Sequence, residues 1–167
     1  MVYIPDIIDY KPFYIQTDAD ETAVDTTTWG MVAKVNPFPA LPNPKEPYKN
    51  EWKDEDGDDE YNGKMYYEAI EFSVTFYIKT IGANAEALLL SQIDGFFSKI
   101  REREFMIFDS YTGIGRRKVR YAGYDAEEYK RKFKKSSDWA RAIFTIKFKV
   151  NDPITRITMS DGKLMEA

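Results

Sequence analysis

Two stretches of this 167-residue chain alternate apolar and polar side chains, and that period of two constrains the fold more than any other feature. In the first, Ile70, Phe72, Val74, Phe76 and Ile78 fall on one face, with Glu71, Ser73, Thr75, Tyr77 and Lys79 on the other. In the second, from Trp139 to Val150, Ala142, Phe144, Ile146, Phe148 and Val150 face one way. Arg141, Thr145, Lys147 and Lys149 face the other. Successive side chains of a strand point to opposite faces, so each stretch predicts a half-buried antiparallel strand. An aromatic content of 16% fits, because large rings pack well on a pleated surface.

A different period lies between them. Gly82 breaks the first strand, Asn84 is placed to cap a helix, and Glu86 suits its first turn. Ala85, Leu88, Leu89, Ile93, Phe96, Phe97 and Ile100 recur at three- and four-residue spacing, which predicts an amphipathic helix ending near Arg101 or Arg103. Phe105–Phe108 reads as a short apolar strand, 109–113 as a turn, and Arg117–Ala122 as a strand with Val119 and Tyr121 inward. Asp125–Ser137 reads as a polar connection, and Asn151-Asp152-Pro153 stops the last strong strand. Weaker strands are expected at Phe13–Thr17 and Gly30–Val35. Strands, one helix, then strands predict an α+β, mainly β fold over 1–167: an antiparallel β-sandwich-like domain with one amphipathic helix and a protruding hairpin.

One segment interrupts this plan, a Pro-rich acidic excursion at about 36–64. Pro37, Pro39, Pro42, Pro44 and Pro47 hold the chain extended, and Lys53-Asp54-Glu55-Asp56-Gly57-Asp58-Asp59-Glu60 has no apolar period. Its low apolar content predicts a mobile loop, or one held by a neighbouring subunit. Residues 1–64 carry 14 acids against 6 bases and residues 65–167 carry 14 against 18, which reproduces the net charge of −4. Such asymmetry can guide self-association, because opposed fields steer encounter and fix register.

Catalytic and metal chemistry find little footing. The chain has neither Cys nor His, which excludes thiolate metal sites, Cys nucleophiles and Ser–His–Asp arrangements. Asp54, Asp56, Asp58 and Glu60 alternate like a calcium loop, but the sixth and twelfth positions hold Asp59 and Met65 where Gly and Glu are needed. Gly113-Ile114-Gly115-Arg116 lacks the third glycine of a phosphate loop and precedes a strand, so it reads as a hairpin turn. Asp94 is expected to face solvent and Asp109 to open a turn. The basic runs Arg116–Arg120 and Lys130–Lys135 raise nucleic acid, and a pI near 5.0 argues against it. No basic leader precedes an apolar run, and no stretch approaches the roughly 20 apolar residues that span a bilayer. The expectation is a soluble, intracellularly made, non-enzymatic domain not exported by a signal peptide, with no membrane partner.

The order of elements over about 66–152 resembles that of the N-terminal ring domain of phage distal tail proteins. The strand 68–79, the helix 84–100, the run Arg103-Glu104-Phe105-Met106-Ile107-Phe108-Asp109 with its turn, and a final alternating strand ending in Asn-Asp-Pro carry the resemblance. The first 65 residues have no counterpart in that pattern. The resemblance implies a homo-oligomeric ring at the tail tip, commonly a hexamer, residing in the virion tail beside other tail proteins, with no cofactor and no catalytic residue. For assembly, the expectation is a hairpin arm with its tip at Gly113–Gly115. Its cations, Arg116, Arg117, Lys118 and Arg120, would meet the acidic Asp54, Asp56 and Asp58 of a neighbour. A host-surface module that binds carbohydrate or protein is the alternative for a sandwich so rich in Tyr and Trp.

Overall fold

The two alternating stretches become neighbours in space. The computed structural model describes residues 2–3, 12–17, 21–34, 40–50, 53, 56–57, 59–60, 63–132 and 139–167. Its strands are β1 (Val2–Tyr3), β2 (Phe13–Gln16), β3 (Val24–Asp25), β4 (Met31–Ala33), β5 (Lys49–Asn50), β6 (Asp59–Glu60), β7 (Ile70–Ile81), β8 (Phe105–Asp109), β9 (Ile114–Lys132), β10 (Trp139–Val150), β11 (Ile157–Ser160) and β12 (Lys163–Glu166). Helix α1 (Ala85–Ile100) joins β7 to β8, and a 3-10 turn occupies Thr26–Trp29. β7 and β10 pair antiparallel along their whole length, from Ile70 opposite Val150 to Ile81 opposite Trp139.

All strands except β5 and β6 join one sheet whose main path runs β1-β7-β10-β9-β8-β2-β3. The two ends of that path fold over one another. Phe13 on β2 meets Phe76 on β7 edge-to-face at 5.8 Å, and it stacks on Phe148 of β10 at 6.3 Å. Phe105 on β8 also reaches Phe148, at 5.9 Å. Rings from opposite ends of one sheet therefore share a sandwich core, as the alternating faces require.

The bend is made by β9. Its pairing with β10 shifts register between Ile143 and Phe144 and again between Lys147 and Phe148, and its pairing with β8 shifts between Phe105 and Ile107. Each shift is an irregularity that bends a strand and raises its twist, which lets one 19-residue strand serve both layers. The same shifts hide β9 from a period-two reading. The sequence predicts a strand over 117–122 followed by a polar connection, whereas β9 continues to Lys132 opposite Trp139.

Helix α1 covers the open side of β7 and β10. Leu89, Phe96 and Ile100 are buried, and Phe96 packs on Phe76 at 5.4 Å and on Trp29 at 5.7 Å. Gly95 permits that approach, since a Cβ there would lie 3.0 Å from the Trp29 ring. The helix bounds match the sequence expectation, although the Asn84 side chain makes no capping bond. The C-terminal hairpin β11–β12 was not anticipated. It turns through Asp161 and Gly162, both at positive φ, as a two-residue hairpin connection demands. It is clamped by the buried Gln16 amide, which accepts from the Leu164 N–H at 2.7 Å and donates to its carbonyl at 3.4 Å.

Candidate interaction surfaces

The basic start of β9 does not form a free arm. A Cβ on Gly115 would collide with the Ile157 carbonyl, because β11 pairs with β9 at that position. The register shift between β8 and β9 then puts Arg116 on the same side as Val119, where unbroken alternation would turn it outward. Arg116 is 1% exposed and donates to the carbonyls of Pro153 and Ala40, both at 2.9 Å. Burial, with Arg156 nearby, lowers its pKa against the opposing pull of Asp152, and it stays charged at any ordinary pH. The sequence expectation of an exposed interface cation at Arg116 is therefore corrected: this guanidinium is an internal strut.

Arg117 points outward but is engaged within the chain. Its Nε donates to Asp152 at 2.6 Å, and Glu166 lies 3.6 Å from its Nη1. Asp152 also accepts the N–H groups of Ile154 at 3.2 Å and Thr155 at 3.1 Å. Burial alone would push this carboxyl up; the bonds from Arg117, Thr155 and Ile154 outweigh it and hold the group well below the usual carboxylate range. Lys118, at φ 53°, and Arg120 remain exposed on β9. Of the acidic partners expected for them, Asp56 is exposed, while Asp54 and Asp58 lie outside the described residues. Asp109, as expected, opens a turn: it accepts from Tyr111 N–H at 3.1 Å and from the Thr112 hydroxyl at 2.9 Å.

What stands off the body is the excursion. Its two legs pair antiparallel: the Glu68 N–H donates to Asn43 O and the Lys45 N–H to Tyr66 O, each at 2.8 Å. Pro44 sits opposite Tyr67 at the one pairing position that needs no N–H from it. Farther out, Lys49 pairs with Glu60 and Asn50 with Asp59. Within the segment expected to be a loop, the described residues thus make two short antiparallel pairings, a ribbon in outline. Nearly every described side chain along it is exposed, including Leu41 at 81%, Met65 at 62% and Tyr66 at 63%. The Lys64 ammonium lies 5.8 Å from the centre of the Tyr66 ring.

A second surface is concave. Between α1, β9 and β10 lies a cleft of about 350 Å³ whose walls are almost wholly apolar. Ile93 and Phe96 form its helix side, with Phe144 and Ile146 beneath. Phe97, expected in the core, is 36% exposed and forms the lip, about 100° round the helix from the buried Phe96. Its ring meets Tyr121 edge-to-face at 5.4 Å. The register shift beside Lys147 and Phe148 brings Tyr124 to the same mouth as Tyr121. Burial raises the Tyr121 pKa, helped by Tyr124. Among the described residues, Asp94 is the one charged side chain in the lining.

No clustered set of metal-ligating side chains is found among the described residues, and no described helix is long and apolar enough to cross a membrane. What the fold and these surfaces define is an aromatic-cored antiparallel β-sandwich with one covering helix, an external ribbon and an apolar cleft. Its fold is similar to that of the Dit protein (gp 19.1) of phage SPP1, described as a paradigm of the hub adsorption apparatus in phages that infect Gram-positive bacteria. The TM-score is 0.61 at 16% sequence identity, over 89% of this chain and 53% of that one, so this chain spans about half of its length. No family model and no curated protein matches the chain.

Proposed function

We propose that this chain is a structural component of a phage tail, non-enzymatic and resident in the virion. It forms a homo-oligomeric ring of the distal-tail kind and contacts other tail proteins. The observation that carries this reading is the likeness of fold to the SPP1 hub protein across 89% of the chain. The exposed ribbon supports it. Leu41, Met65 and Tyr66 each expose a large apolar side chain to solvent, as residues that another subunit covers would do. Static light scattering with electron microscopy over a concentration series tests the reading. A discrete ring of several subunits is expected, and a monomer at every concentration overturns it.

A further inference from the structure

We propose that the ribbon of one chain docks in the α1–β9–β10 cleft of a second copy, with the Tyr66 ring between Phe97 and Tyr124 and Lys64 beside Asp94. The inference rests on the ring reading and names the contact that builds the ring. Each half of the contact lacks what the other has. On the ribbon, Met65 and Tyr66 are 62% and 63% exposed, so among the described residues these apolar side chains find little cover. The cleft has apolar walls, aromatic rings at its mouth, and room for an aromatic side chain in about 350 Å³.

Charge decides the orientation. The Lys64 ammonium lies 5.8 Å from the centre of the Tyr66 ring, so the two side chains travel together. A ring entering the cleft thus carries a cation to a mouth where Asp94, exposed, is the charged group among the described residues. The occupant is a second copy because both complementary surfaces belong to one chain, and within that chain Tyr66 is exposed while the cleft is open. Two different patches meeting in this way make a head-to-tail contact, which closes into a ring when the rotation allows.

The absence of native Cys makes the test clean. Met65→Cys and Ser98→Cys flank the two surfaces and leave Lys64, Tyr66, Asp94 and Phe97 in place. Mixed and treated with a short bis-maleimide, the two variants are expected to give a covalent dimer that neither gives alone. Lys64→Glu and Asp94→Lys should each raise the dissociation constant of assembly about three-fold, and the double exchange in one chain should restore it to within about two-fold. Rings that form without the mixed cross-link, or that ignore both Tyr66→Ser and Phe97→Ser, overturn the docking and leave the ring reading standing. A chain that stays monomeric overturns both.

Discussion

The ribbon and the β7–β10 pair use the same antiparallel backbone bonds and end at opposite extremes of burial. In β7–β10 every second side chain enters a layer closed by β2, β8 and α1, so Phe76, Ile78 and Phe148 lose nearly all contact with water. In the ribbon, Met65 and Tyr66 lie beside the Pro44–Tyr67 bridge and keep most of theirs. Hydrogen bonds are close to neutral in net stability, and what separates the two regions is whether a second layer exists. Apolar residues in the first region therefore report on folding, and those in the ribbon are expected to leave it unchanged.

Substitutions can break or sharpen that contrast. The largest effect is expected for Phe76→Asp, which buries an unpaired carboxylate among Phe13, Phe96 and Phe144. Its cost of several kcal/mol is on the order of the whole stability, so the cooperative thermal transition should vanish. Next comes Arg116→Ala, which strips a buried guanidinium from the Pro153 and Ala40 carbonyls. Denaturant unfolding should show a loss of about 2–4 kcal/mol, and salt should not mimic it.

Asp152→Asn should cost about 1–2 kcal/mol at neutral pH through the weakened Arg117 bond. Because the folded pKa of Asp152 lies below its unfolded value, its stabilisation is complete above about pH 4 and fades as pH falls further. The gap between wild type and variant in unfolding midpoint should therefore narrow in acid, and a constant gap would remove Asp152 as the cause. The smallest effect is expected in the ribbon: Tyr66→Ser should shift monomer stability by less than about 0.5 kcal/mol. A larger loss in a dilute thermal melt would show that the ribbon belongs to the core after all.

The strongest elements were legible because each was locally consistent. The Ile70–Ile81 and Trp139–Val150 strands declare period two, the Ala85–Ile100 helix declares three-to-four spacing, and the ring-rich faces need one another. The ribbon was visible as a Pro-rich interruption, but its pairing was not, since neither leg carries a period. Asp94 faces solvent as expected, and its place at an apolar mouth could not follow from the helix alone.

What the sequence by itself determined is the alternation that makes an antiparallel, aromatic-cored sheet and the amphipathic helix that covers it, because both are periods short enough to be written locally. What only the tertiary structure decided is where those periods slip. A register shift in β9 turns Arg116 inward and leaves Arg117 outside, and another brings Tyr121 and Tyr124 to the lip of one cleft. A slip of one residue reverses every side chain beyond it, and its position depends on the partner strand and the layers above, not on the residues that slip.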